Sequence, residues 1–324
     1  MKQKKLLPVI LLIICVALPL LFNDSYISSV FTMMGIYAIF AAGMNVVSGY
    51  AGIMSYGQAA FLGLGGYAGA MLYQDVGLPL IVVFLLVMVL CAIVGAFIGL
   101  LTLRLHSIYF SITMMGVAGI FRTIATNWES LTNGPRGMVV NPVRIPAFLS
   151  SLNYETILFY ITLVVLVISL YMTNQLTKTF TGRSLVALRD GENLAMSLGI
   201  NTKVQKIYAF ILSAIISGFA GFLYGFNFRI IVPDLMNTNY TIIGLLIIMI
   251  GGKGKLYAPV VGAIVYTGFY EVLRSIGEVR MVIYAALLLA VVLLMPQGLI
   301  GKATEIWQAY KMRKTVMKGD IADA

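Results

Sequence analysis

The chain is 324 residues long, 60% hydrophobic and only 10% charged, with a mean hydropathy of +0.96. Such a composition lies well outside soluble globular norms and excludes a water-soluble domain; the class is an all-α polytopic membrane protein. The formal charge of +10 then has to be read as topology rather than as affinity for nucleic acid.

Each crossing needs roughly 20 apolar residues, and the candidates in chain order are Leu6 to Phe22, Ile27 to Val47, Ser55 to Tyr73, Leu80 to Leu101, Ile108 to Thr126, Tyr154 to Thr173, Ile207 to Phe228, Leu235 to Ile250, Leu256 to Leu273 and Met281 to Met295. That is about ten transmembrane helices by the length criterion. Leu235 to Ile250 is short, and the glycines Gly49, Gly52, Gly57, Gly63, Gly65 and Gly66 make a straight helix near Ser55 to Tyr73 less secure, so some spans are expected to be broken or re-entrant. The first span has the basic start and apolar core of a secretory signal. No small-x-small site follows it, however, and Ile14 before Cys15 departs from the small residue of a lipoprotein signal.

Charge supports the count. With the N-terminus inside, all of the 22 Lys and Arg fall on the cytoplasmic side except Arg122, Arg136, Arg144, Arg229, Arg274 and Arg280, the asymmetry that cytoplasmic loops carry. Both termini are then cytoplasmic. A single transmembrane domain covers 1–301, with a polar loop at about 174–206, and a basic tail at 302–324 is placed near anionic lipid or a partner.

The polar loop is the most informative segment. A charged stretch of about thirty residues between membrane-length runs reads as a docking surface for something soluble, although a solvated positive-inside loop stands as the plain alternative. Gly191 interrupts its helical pattern across Ser184 to Ser197, which predicts two short helices rather than one. Two readings also stand for Gly49 to Gly69: close helix packing through small residues, or a broken helix lining a route, with Asn45, Ser48, Ser55, Tyr56 and Gln58 as its polar contacts. Gly49-x-x-Gly52 and Gly251-x-x-Gly254 each precede an apolar span and hint at an internal repeat. The segment Asn127 to Asn153, with Pro135, Pro142 and Pro146, is expected to be an ordered, turn-rich external loop. Its Arg136 and Arg144 are either contacts for an acidic partner or loop charges in water.

What is missing narrows the function further. Gly251-Gly252-Lys253-Gly254-Lys255 lacks the spacing of a phosphate loop, so no nucleotide hydrolysis is expected from this chain. Ionisable groups are nearly absent from mid-span, which argues against an ion-coupled carrier more than against a passive channel. The lone His106 sits in a short loop, Cys15 and Cys91 fall in apolar runs as packing residues, and no catalytic cluster or metal site is suggested. Trp128 and Trp307 follow the ends of spans, as interfacial anchors do.

Three stretches together resemble the inner-membrane permease subunits of ATP-binding-cassette importers for branched-chain amino acids: Gly43 to Leu72, Gly182 to Gly221, and the run Gly251 to Tyr266 with its closing MPQGLIG. The match spans most of the chain and includes the intervening Leu131 to Met138. The resemblance implies a bacterial or archaeal inner (plasma) membrane protein that works by alternating access with a homologous permease, two cytoplasmic ABC ATPases that bind the ATP, and an extracytoplasmic solute-binding protein. No cofactor of its own is implied. It further implies that Arg183, Arg189, Asp190, Glu192 and Gly199 belong to the ATPase-docking segment. Urea permeases look similar, so the solute stays open between branched-chain amino acids and urea, and a secondary carrier or passive channel is the rival of another class.

Overall fold

The computed structural model describes residues 25–102, 105, 107–143, 153–273, 283, 286, 289, 297–302, 304 and 305. Helix α1 (Ser25–Met44) runs directly into one π-helical turn at Asn45–Tyr50, and α2 (Gln58–Gln74), α3 (Leu80–Thr102) and α4 (Ser107–Asn127) follow. After the short α5 (Glu129–Thr132) come α6 (Tyr154–Lys178), α7 (Phe180–Asp190), α8 (Glu192–Ser197), α9 (Thr202–Phe228), α10 (Thr238–Gly251) and α11 (Ala258–Val272). Every expected span between Ile27 and Leu273 falls on one of these helices. Leu6 to Phe22 lies outside the described residues, as does nearly all of Met281 to Met295.

Among the described residues, five helices are long and apolar enough to cross a membrane: Ser25–Tyr50, Leu80–Thr102, Ile108–Asn127, Tyr154–Lys178 and Thr202–Phe228. The others are shorter than the sequence reading made them. Pro233–Met236 folds as a 3-10 turn, so the expected span at Leu235 begins only at Thr238, where Asn237 caps the helix by accepting from the Asn239 amide at 3.1 Å. The result is a 14-residue α10 beside a 15-residue α11, two short helices packed as a pair.

Helix α9 is the hub, packing against α1, α2 and α3, while α1 also packs on α6 and α11. Lipid supplies no hydrophobic drive between helices, so association in a bilayer depends on tight van der Waals packing, which small residues allow by letting backbones meet. The α2–α9 contact takes this to its limit. A Cβ built on Gly65 would stand 2.1 Å from the Gly218 carbonyl oxygen, and one on Gly221 only 1.7 Å from that of Leu62. Gly218 in turn leaves room for Cys91 of α3, whose sulfur would lie 2.4 Å from a Cβ at 218, so Cys91 is the packing residue expected. Aromatic side chains fill the space beside these backbone contacts: Phe84 stacks on Phe219 at 4.1 Å and Phe61 meets Phe210 edge-on at 5.6 Å.

The exposed flanks are α3 and α4, whose outward residues Ile81, Ile93, Phe97, Ile108, Ile112 and Ile120 are apolar, the surface a membrane helix turns to lipid or to another subunit. At the end where α1 begins and α9 finishes, the expected turn-rich loop is present as far as residue 143. Asn133 takes a left-handed conformation, Gly134–Arg136 forms a 3-10 turn, and Gly137 follows at φ 75°. One feature is not helical: β1 (Met138–Val139) pairs antiparallel with β2 (Ile230–Ile231), tying this loop to the end of α9. Trp128 is half exposed just past α4, while Trp307, His106 and Cys15 lie outside the described residues.

Because the Gly221 site abuts backbone, Gly221→Ala is expected to destabilise the detergent-solubilised chain by about 1–3 kcal/mol, seen as a lower thermal unfolding midpoint. Gly116→Ala is the control, since a methyl there meets nothing within 4 Å; its midpoint should stay level or rise slightly.

Candidate functional site

The polar loop folds as two helices broken at Gly191, the break the sequence pattern predicts. Thr179 caps α7, its hydroxyl accepting from the Gly182 amide at 3.4 Å. Leu185, Leu188 and Ala195 are buried beneath the pair. A turn through Gly199, at φ 78°, leads to Asn201, whose side-chain oxygen accepts from the Val204 amide at 3.3 Å and starts α9.

The residues assigned to this segment divide into two groups. Arg183 and Gly199 are exposed. Asp190 is exposed too, but accepts from Arg189 Nε at 3.2 Å. Arg189 and Glu192 point back toward the membrane helices. Glu192 accepts from Lys206 Nζ at 2.5 Å, and that lysine side chain is only 10% exposed, so the pair compensates a nearly buried ammonium at the base of α9. The outward surface instead carries Leu194, Met196 and Leu198, which are 66%, 50% and 70% exposed. Sequence reasoning passed over these three, because nothing local in the sequence tells which apolar residues of a short polar segment stay exposed.

Arg189 makes the most consequential contact. Its Nη1 donates to the Gly49 carbonyl at 3.2 Å. That carbonyl belongs to the last turn of the α1 helix, where backbone acceptors have no intrahelical partner and the helix dipole is negative. A guanidinium answers both needs at once. The approach requires glycine on each side: Gly52, at φ 72°, would put a Cβ 2.6 Å from Arg189 Cγ, and Gly254, also at φ 72°, would put one 2.8 Å from Arg189 Nη1.

The two G-x-x-G loops noted in the sequence meet here. A Cβ on Gly49 would stand 2.7 Å from the Gly254 nitrogen, and Asn45, fully buried, stitches the loops together. Its Oδ1 accepts from the Gly254 amide at 2.9 Å and its Nδ2 donates to the Lys255 carbonyl at 3.0 Å. A small cavity of about 160 Å³ beneath this junction is lined by Gly52, Phe110, Leu188, Arg189, Glu192 and Lys206 among others.

The remaining residues assigned to a route flank the same break. Ser48 donates to the Ile53 carbonyl at 3.2 Å. Ser55 donates to Gln58 Oε1 at 3.3 Å, Gln58 Nε2 donates to Ser213 of α9, and Tyr56 is half-buried against the core. Thr241 of α10 joins them by accepting from the Ala59 amide at 3.0 Å. Asn45, Ser48, Ser55 and Gln58 are therefore buried groups satisfied by protein partners, as buried polar groups must be. The helix is broken over 51–57, and the glycines beyond the break pack helix on helix. At the far end, Arg136 is exposed in its turn and Arg144 lies outside the described residues. Other charges there pair locally, Arg122 with Asp234 at 2.5 Å and Arg229 with Glu155 at 3.9 Å, both largely exposed pairs of small energetic weight.

A helical bundle with five helices long and apolar enough to cross a membrane among its described residues, and a latched two-helix insert at one end, belongs to the class of polytopic membrane proteins. Comparison with known proteins gives the same class a family: the model for the permease component of branched-chain amino acid transport systems matches residues 26–294. The chain belongs to that family. It is similar to the high-affinity branched-chain amino acid transport system permease protein LivM of Escherichia coli (strain K12), at 28% identity over 99% of this chain and 80% of that relative. The LivH permease protein of the same strain is 24% identical over 84% of this chain and 93% of its own length. The autoinducer 2 import system permease protein LsrC of Salmonella typhi is 27% identical over 63% of this chain and 58% of its own length. No solved structure matches significantly.

Arg189→Ala is expected to raise amide hydrogen exchange across residues 45–54 about tenfold, the protection carried by one charge-assisted hydrogen bond at a partly exposed site. Exchange within α2 should stay unchanged. Exchange at 45–54 equal to that of the unsubstituted chain would show that the guanidinium does not hold the α1 terminus.

Proposed function

We propose that this chain forms one half of the translocation pore of an ATP-driven importer of branched-chain amino acids. Its pore partner is a homologous permease, two cytoplasmic ABC ATPases drive it, and an external binding protein feeds it. The observation that carries the reading is the two-helix insert: its outer surface presents Leu194, Met196 and Leu198, while its inner surface is bonded to the α1 terminus through Arg189 and to α9 through Glu192. A partner that grips the outer surface therefore pulls on two membrane helices. Arg183, Asp190 and Gly199 lie at its rim for contact with the ATPases, whereas Arg189 and Glu192 transmit what that contact delivers.

The similarity of this chain to both LivM and LivH, two permease proteins whose names assign them to high-affinity branched-chain amino acid transport, supports a pore built from two related halves. The bias of basic residues supports cytoplasmic termini in an inner or plasma membrane. In this orientation the junction of Arg189, Gly49 and Gly254 is cytoplasmic, and Tyr26, Phe228 and Glu271 lie at the outer end. ATP binding to the partners biases the two states of the pore only through contacts that differ between them, and the insert supplies the surface for those contacts. Asn45, Ser48, Ser55, Tyr56 and Gln58, the residues assigned to the route, flank the broken end of α1 through which the insert's motion reaches the pore.

Leu198→Asp leaves the buried core untouched and is expected to cut ATPase co-purification by about tenfold or more, as the loss of an apolar interface anchor does. ATP-dependent leucine uptake in proteoliposomes holding the complete importer should fall in step. Leucine or urea movement by this chain alone, without ATP, would contradict the proposal in favour of a carrier or channel.

A further inference from the structure

Where α2 meets α9 and where α10 meets α11 the helices touch backbone to backbone, so a large void between four helices calls for a reason. One lies between the ends of α1, α9, α10 and α11 that are remote from the Arg189 junction, with a volume of about 540 Å³. This falls within the range of small-molecule sites, about 300–1,000 Å³.

The walls are chemically sorted. Val30, Met33 and Ile243 give an apolar side. Tyrosines line much of the rest; Tyr224 and Tyr240 share a hydrogen bond at 3.1 Å, and Tyr37 meets Tyr266 edge-on at 5.7 Å. The one charged lining residue is Glu271, a carboxylate that accepts from the Tyr26 hydroxyl.

Thr267 supplies a second, independent sign. Among the buried Ser and Thr of the described helices, Ser217 is left without a partner, whereas Thr32, Thr102, Thr162, Ser169 and Thr173 return their hydroxyls to the carbonyl four residues back at 2.8 to 2.9 Å. Thr267 does not. It lines the cavity, is only 4% exposed, and its hydroxyl has no hydrogen-bond partner. An unsatisfied buried hydroxyl beside a roomy cavity is a group that waits for a ligand atom.

We infer that this cavity binds the free amino acid on its way through the pore. The ammonium group sits against Glu271 and the tyrosine faces, which attract cations; the carboxylate accepts from Thr267 and tyrosine hydroxyls; and the aliphatic side chain lies on Val30, Met33 and Ile243. A zwitterion with an apolar side chain uses all three kinds of wall. The inference rests on the importer reading for its substrate class and adds the place and the polarity of binding.

The test uses the complete importer in proteoliposomes, with photo-leucine, the diazirine analogue of leucine, supplied on the binding protein and cross-linked by light. Adducts on peptides carrying Val30, Met33 or Ile243, competed by excess leucine, are expected. Thr267→Val and Glu271→Gln should each lower adduct yield several-fold while the ATPases still co-purify. Competed adducts found only elsewhere in the pore, or yields unmoved by both substitutions, would overturn the site while leaving the importer reading intact. If the unsubstituted importer accumulates no leucine in a parallel uptake assay, the amino-acid reading fails, and the inference with it.

Discussion

The contact between the backbones of α2 and α9 is the constraint on which the rest of the bundle depends. Water drives apolar faces together in a soluble protein, but lipid is as apolar as any side chain, and membrane helices must win stability from contact density. Gly65, Gly218 and Gly221 let two backbones touch with no side chain between them, and Phe219 and Phe222 then fill the flanks against Phe84. With α9 held so closely, α1 and α3 pack on its other sides. The arrangement leaves little slack: where backbone meets backbone, a helix can move only as part of a larger body.

That stiffness gives the Arg189 junction its mechanical meaning. The insert is bonded to the hub at the base of α9 through Glu192 and Lys206, and to the broken end of α1 through Arg189. Asn45 carries the connection across to the loop between α10 and α11. Three parts of the bundle therefore share one node, and the node consists of glycine backbone, one amide side chain and one guanidinium. A π-helical turn at Asn45–Tyr50 lies within it, the kind of local departure from α geometry that recurs at functional positions.

Much of this was legible in the sequence, and the illegible parts share a cause. Long apolar runs announced helices such as Leu80–Thr102, because hydropathy is a local property summed along the chain. Gly191 announced the break in the polar loop for the same local reason. Pairings between distant residues were hidden. Nothing in the sequence near Arg189 says that it reaches the Gly49 carbonyl, and nothing near Met138 says that it pairs with Ile231. The two G-x-x-G motifs looked like a trace of duplication; in the structure they are two halves of one contact. Composition also concealed the cavity remote from the Arg189 junction, whose tyrosines come from four separate helices and form no motif.

If the insert drives the pore, the insert and the glycine loops of the membrane domain move as one body when the ATPases act. The most direct measurement is a pulsed electron-resonance distance between spin labels at Asn193 on the insert and Lys253 on the glycine loop, both exposed, in the assembled importer. It would be recorded without nucleotide and again in a nucleotide-trapped state. The account predicts the same distance in both states. A distance that shifts on trapping would contradict it, because the insert would then slide over the membrane helices and Arg189 could not be the link that moves them.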